Sequence, residues 1–160
     1  AAHAYLADLG KAGKLKAVVT QNIDSLHEMA GSKKVLKLHG SADRNYCLNC
    51  QRFYDLDGFL ALHGIIPHCL DCASIVKPDV TLYEEPLDME VFRQAAQAIH
   101  QADLLIIGGT SLVVYPAASL IQYFAGKHLV VINKTSISQD SQADLVIEGK
   151  IGEVLGKLKQ

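Results

Sequence analysis

The sequence predicts an α/β fold built on a parallel sheet, and three observations predict it. Short aliphatic runs at 17–20, 35–38, 104–107 and 129–132 alternate with stretches whose apolar residues recur at helical spacing, the pattern of βαβ units. Several runs, such as Leu104-Leu105-Ile106-Ile107, are apolar throughout, as strands buried on both faces are. Most break abruptly into polar or small residues: Gln21-Asn22-Ile23-Asp24, His39-Gly40, Gly108-Gly109-Thr110-Ser111 and Asn133. In open α/β sheets the ligand crevice lies beyond the carboxyl ends of the strands, where these residues fall.

The first element is a helix over 1–13, with Tyr5, Leu6, Leu9 and Ala12 on one face and Gly10 and Gly13 weakening and ending it. A strand over 16–20 follows, expected to be buried on both faces, and then its polar tip. That tip has two readings, a ligand site or a polar turn with an Asx cap. Residues 24–30 form a short helix closed at Gly31, and 35–38 a second strand ending at His39. The two tips, one carrying Gln21, Asn22 and Asp24 and the other His39, open on the same side. A histidine after a strand is either a satisfied turn residue or a catalytic group.

Between Cys47 and Cys72 the texture changes to Cys-Leu-Asn-Cys, eighteen residues, Cys-Leu-Asp-Cys. Cys47, Cys50, Cys69 and Cys72 have zinc-site spacing, each pair offering two thiolates toward a closed tetrahedral structural metal. Free thiols or a redox pair are the alternatives. His63 and His68 lie nearby, but four thiolates fill the shell, so both are read as surface residues.

Residues 75–85 read as extended, since the residue before Pro78 is pushed toward β and β-formers follow. A helix over 88–101 carries Met89, Phe92, Ala95, Ala96 and Ile99, and the strand 104–107 turns at the Gly-Gly-Thr-Ser segment. That turn lets a phosphate or ribose approach the backbone, although a glycine pair after a strand is by itself a weak pointer. Pro116 suits the first turn of a helix whose buried face is Ala117, Leu120, Ile121 and Phe124, closed at Gly126. A strand over 129–132, a polar loop over 134–142, a strand over 143–148 and a helix with Ile151, Val154, Leu155 and Leu158 complete the chain. The architecture is of a nucleotide-binding type.

With 160 residues and 49% hydrophobic content the chain can bury one real core, with room for a small appendage. A formal charge of −2 with scattered basic residues argues against nucleic-acid and membrane-surface partners. No apolar run nears the roughly 20 residues that span a bilayer, and Ala1-Ala2-His3 has no signal-peptide pattern, so a cytoplasmic location is expected. Reducing cytosol also favours metal ligands over disulfides for the four cysteines.

Five pieces occur in order: Thr20-Gln21-Asn22-Ile23-Asp24 with Leu26-His27, Leu38-His39-Gly40-Ser41, the paired Cys-x-x-Cys, Lys77-Pro78-Asp79-Val80, and Gly109-Thr110-Ser111-Leu112 with Val114-Tyr115-Pro116-Ala117. With this set, the chain closely resembles the sirtuin family of NAD-dependent protein deacylases, from about residue 2 to the final helix. The resemblance implies an inverted Rossmann-type parallel sheet with helices on both faces, formed by 1–42 and 76–160, and a small four-cysteine zinc-binding module at 43–75. NAD and an acylated-lysine peptide meet in the cleft between them.

On matching positions, the resemblance makes His39 the general base toward a ribose hydroxyl, a task suited to an imidazole that titrates near neutrality. Asn22 and Asp24 serve the nicotinamide and its ribose, Gln21 holds ribose hydroxyls, and Ile23 belongs to the same cofactor set. Gly109, Thr110 and Ser111 line the phosphate and ribose path, Asn133, Lys134 and Thr135 hold the adenosine ribose, and Ile151 edges the adenine. The peptide adds as a strand between Val80, Thr81, Leu82 and Tyr83 on one side and Val113, Val114 and Tyr115 on the other. The zinc is structural, and His27 is a neighbour of the site.

Two departures stand out. The family's pattern starts earlier, with a Gly-Ala-Gly-x-Ser loop and an Asp-Phe-Arg segment that these residues do not contain, so the chain is read as part of a longer catalytic core that binds NAD poorly by itself and exposes sheet edges. In addition, Tyr83-Glu84-Glu85 stands where many members have Phe-Gly-Glu, placing a side chain where a flexible glycine is usual beside the peptide groove. Deacetylation is the expected activity, with desuccinylation open. The competing readings are a sirtuin-like mono-ADP-ribosyltransferase and a noncatalytic acyl-peptide-binding module.

Overall fold

The computed structural model describes residues 1–158. Its elements run α1 (Ala2–Lys11), β1 (Val18–Thr20), α2 (Leu26–Met29), β2 (Val35–Lys37), β3 (Gly40–Cys47), β4 (Phe53–Tyr54), α3 (Leu56–Leu60), β5 (Val76–Val80), α4 (Met89–His100), β6 (Leu104–Gly108), β7 (His128–Asn133), β8 (Leu145–Glu148) and α5 (Ile151–Lys157), with 3-10 turns at Ala117–Tyr123 and Ser138–Gln142. The strands form three groups. β1 and β2 pair in parallel, β6, β7 and β8 form a parallel sheet in that order, and β3 lies antiparallel between β4 and β5.

Alternation along β7 explains why the β6–β8 sheet is covered on both faces. Leu129 and Val131 point into a cluster with Ile107 and Ile137, packed on by Ile121 and Phe124. Val130 and Ile132 point the other way, toward Ala2, Tyr5 and Leu6 of α1 and Ile151, Val154 and Leu155 of α5. A further cluster joins Leu36 and Leu38 to Ala95, Ala96 and Ile99 of α4 and to Ala117 and Leu120, with Ala17 and Val19 against it. α4 starts cleanly because the Asp88 carboxylate accepts from the Glu90 and Val91 amides.

The helix–strand order and the two-sided cover follow the sequence reading, with local differences. β1 is half-buried along its length, not buried on both faces, because among the described residues it pairs only with β2 and its other edge stays open. Met89 opens α4 on the exposed side, outside the apolar stripe assigned to it. The helix expected after Pro116 is 3-10, with Pro116 at its cap, and the polar stretch 134–142 holds a 3-10 turn whose start is tied by Asp140 Oδ2 to the Ile137 amide at 3.0 Å. The extended reading of 75–85 holds through Val80, after which the chain turns, the Glu85 amide donating to Leu82 O at 3.1 Å with Glu84 at φ 70°.

The sequence reading assigned no strand to 40–47, which forms β3, the longest strand. Its register against β5 shifts between Ser41 and Asn45. Fully buried Asn45 holds the irregularity, its amide donating to Ala42 O and Tyr54 O, each at 3.3 Å. Gly40 opens the strand at φ 76°, and a Cβ there would lie 1.9 Å from Asp79 O, so the pairing of β3 with β5 depends on glycine at this position. No helix among the described residues is long and apolar enough to cross a membrane.

Candidate active site and metal centre

The tip of β1 and the turn between β2 and β3 meet through hydrogen bonds. Leu38 N donates to Thr20 O at 2.9 Å, Ala42 N to Ile23 O at 3.1 Å, and His39 Nδ1 lies 3.1 Å from Gln21 O. A carbonyl can only accept, so Nδ1 is the donor, which leaves Nε2 as the ring nitrogen that can act as an acceptor. On the other side of the ring's residue, Thr81 N donates to His39 O at 3.1 Å, fastening the end of β5 to it.

Along the same tip Asn22 and Asp24 are exposed, and half-buried Gln21 has an amide nitrogen that is buried and without a partner. The Asx-cap reading of this tip is correct for one oxygen: Asp24 Oδ1 accepts from Leu26 N at 3.0 Å at the start of α2. His27, packed edge-on against His3 with centroids 4.5 Å apart, is held below the ordinary imidazole range, first by burial and then by the charge of His3.

A second group gathers at the carboxyl ends of β6, β7 and β8. Gly109 takes φ 63°, and its nearest side chain is Ile151, with Cγ2 at 3.7 Å from an ideal Cβ. One strand residue earlier, a Cβ on Gly108 would lie 2.3 Å from Ile151 Cδ1, so this glycine lets α5 close on the strand end. Asn133 Nδ2 donates to Thr110 O at 2.9 Å and Thr135 O at 3.0 Å, joining the glycine turn to the end of β7. The structure thus brings Gln21 to His39, Thr81 to His39, Asn133 to Thr110 and Thr135, and Ile151 to Gly108. Among the described residues no hydrogen bond links the His39 group to the Asn133 group. Val113, Val114, Tyr115, Leu82 and Tyr83 are all exposed.

The cysteine module is built from two matching turns. In each, the residue after the second cysteine adopts the left-handed conformation, Gln51 at φ 60° and Ala73 at φ 57°, and donates to the first cysteine's carbonyl, at 3.1 and 2.9 Å. Each first cysteine in turn donates its amide to the residue five positions on, Cys47 to Arg52 O at 2.9 Å and Cys69 to Ser74 O at 2.7 Å. Backbone amides also point at sulfur, Cys50 N at Cys47 Sγ (3.5 Å) and Asp71 N at Cys69 Sγ (3.4 Å). Arg52 and Asp71 pair across the two turns.

The four Sγ atoms lie within 4.8 Å of one another, with Cys47–Cys72 at 3.4 Å and Cys50–Cys69 at 3.6 Å. Tetrahedral zinc, with bonds of about 2.3 Å, sets sulfurs about 3.8 Å apart, so the donor set fits. The charge pattern agrees. Cys69 is pulled down to about 6, first by the hydrogen bond from the Tyr54 hydroxyl, at 3.3 Å. Cys50 is pushed up to about 12, the draw of the Arg52 amide being outweighed by its thiol neighbours and desolvation. Four clustered thiols cannot all ionise without a counter-charge, and a divalent cation supplies it. Tyr54, the hydroxyl that supports Cys69, was not singled out in the sequence; its place seven residues after Cys47 carries no motif.

Residues 1–116 match the model of the Sir2 family. The chain belongs to that family. It is 63% identical over 158 residues to an "NAD-dependent protein deacetylase" of Clostridium perfringens, covering 98% of this chain and 64% of the relative. An "NAD-dependent protein deacylase 2" of Archaeoglobus fulgidus is 44% identical, again over 98% of this chain and 64% of its own length. The chain therefore spans somewhat less than two thirds of the curated relatives it matches. Among solved structures, "Sir2-p53 peptide-NAD+" and "Sir2 bound to acetylated peptide" each superpose with a TM-score of 0.92 at 37% identity, covering 98% of this Sir2-family chain and 67% and 68% of theirs.

Proposed function

We propose that this chain carries the acyl-transfer site of an NAD-dependent protein-lysine deacylase acting on acetyl-lysine. The observation that carries the reading is the 3.1 Å contact of His39 Nδ1 with Gln21 O: an Nδ1–H donating there leaves the lone pair of Nε2 to take a proton. When bound, NAD supplies the ribose carbon that meets the acyl oxygen, nicotinamide as the leaving group, and ADP-ribose as the final carrier of the acyl group.

His39 accepts a proton from a ribose hydroxyl at Nε2. Asn22 and the uncapped oxygen of Asp24 hold the nicotinamide and its ribose, with Ile23 beside them, and the unpartnered Gln21 amide nitrogen donates to a ribose oxygen. Gly109, Thr110 and Ser111 leave room for the phosphates, Asn133, Lys134 and Thr135 take the adenosine ribose, and Ile151 borders the adenine. The peptide adds as a strand between 80–83 and 113–115, where main-chain groups supply affinity with little sequence choice. The fit of NAD rests on that buried unpartnered amide and on the open backbone at Gly109.

In this reading 1–42 and 76–160 form the cofactor-binding domain, 43–75 a zinc module whose small core of Cys47, Tyr54 and Cys69 is closed by Val76 at the start of β5, and the protein works in the reducing cytoplasm. Mass spectrometry of an acetyl-lysine peptide with and without NAD tests it. In the complete protein, NAD-dependent loss of acetyl, abolished by His39→Ala, is expected. Turnover untouched by His39→Ala overturns the role of the imidazole, and ADP-ribosylated protein without deacylated peptide overturns the acyl acceptor.

A further inference from the structure

We infer that Lys37 is a positioning residue for His39, acting through Ser25 and Ser41. Lys37 ends β2 two residues before His39, and its side chain is only 7% exposed. A buried ammonium persists only when paired and hydrogen-bonded, and this one meets three partners: Ser25 Oγ at 3.1 Å, Ser41 Oγ at 3.2 Å and Glu28 Oε1 at 3.0 Å. They come from different places. Ser25 follows Asp24 at the tip of β1, Glu28 lies on α2, and Ser41 stands two residues beyond His39 in β3.

The network closes on itself. The Ser25 hydroxyl donates to the Asp43 carboxylate, and the Asp43 amide donates to Ser41 Oγ at 3.3 Å. One cation thereby fastens the loop of Gln21–Asp24 to the segment that carries His39. The orientation of the imidazole hangs on one bond, Nδ1 to Gln21 O, whose length is set by the relative placement of those two segments. The clamp adds side-chain ties to the Leu38 N–Thr20 O and Ala42 N–Ile23 O bonds in holding that placement, and so biases which ring nitrogen keeps its lone pair. The inference rests on the deacylase reading for what the imidazole does, and on geometry alone for how it is held.

Long-range nitrogen–proton NMR of the imidazoles in the full chain tests it. The unaltered chain is expected to show His39 as the Nδ1–H tautomer. Lys37→Met is expected to lower the ratio of Nδ1–H to Nε2–H about tenfold, the loss of roughly one hydrogen bond, since a released neutral imidazole prefers Nε2–H. Amide shifts over 20–28 move with it, while those of the cysteine module stay. Should Lys37→Met lose its dispersed spectrum, Ser25→Ala removes the shared hydroxyl with little void and gives the same readout. A folded variant of either kind with an unchanged His39 tautomer overturns the inference. A tautomer that scrambles in the variant, when the unaltered complete protein shows no NAD-dependent deacylation, sustains the clamp and overturns the deacylase reading; an unchanged tautomer in the variant, when the unaltered protein is active, does the reverse.

Discussion

The cysteine module and the strand-tip site are assembled by opposite means. Within the module, each Cys-x-x-Cys turn builds its own half from neighbouring residues, with the same two backbone bonds in both halves, and the ligand atoms converge wherever the two turns meet. At the strand tips nothing local makes a site. His39 meets Gln21 across 18 positions and Asn133 meets Thr110 across 23, because separate strands end side by side. A local site depends on its metal; a site made by topology depends on the strand pairings that align it.

Removing the metal is therefore expected to have the largest effect. Apparent binding energies of structural zinc are on the order of 10 kcal/mol or more, and the module's apolar core is small. A chelator, or Cys69→Ser, should abolish zinc in elemental analysis and flatten the near-ultraviolet signal of the module's tyrosines. An intact module without metal would break the contrast. Next comes His39→Ala: wherever NAD-dependent deacylation is measured, a loss of about 10²–10⁴-fold is expected, with stability in urea lowered by no more than one hydrogen bond, about 0.5–1.5 kcal/mol.

Gly40→Ala sharpens the dependence on strand pairing. The positive φ alone costs about 1–2 kcal/mol and the clash with Asp79 O adds to it, so urea unfolding should report a loss of about 2 kcal/mol or more. Glu84→Gly goes the other way. Relief of the left-handed strain at φ 70°, less the backbone entropy of glycine, predicts a gain of about 0.5–1 kcal/mol in the same assay.

The smallest effect is on pH. His27 binds its proton more weakly folded than unfolded, where the imidazole titrates near 6.5. The unfolded chain then holds more protons in that window, so stability is complete above about 6.5 and falls as pH drops below it. The urea midpoint should fall between pH 7.5 and 5.5, and His27→Gln should flatten that slope.

The same contrast decides what could be read from residues alone. The thiol ligands were legible because their spacing is the geometry. Strand tips were legible as polar endings of aliphatic runs. β3 was not, because Ser41-Ala42-Asp43-Arg44-Asn45-Tyr46 has neither alternation nor a β-branched run, and it is a strand only because β4 and β5 flank it and Asn45 finds carbonyls inside. Lys37 escaped notice for a related reason: a lysine between two leucines reads as the wet side of a strand, until Ser25, Glu28 and Ser41 close around it.

Asn133 carries a last consequence. Its side-chain nitrogen is spent on two carbonyls, so the group it keeps for a further partner is the amide oxygen, which can only accept. An oxygen of that kind welcomes only visitors that bring a hydrogen. In the proposed NAD reading such an oxygen accepts from a sugar hydroxyl and has no hydrogen to offer a phosphate oxygen.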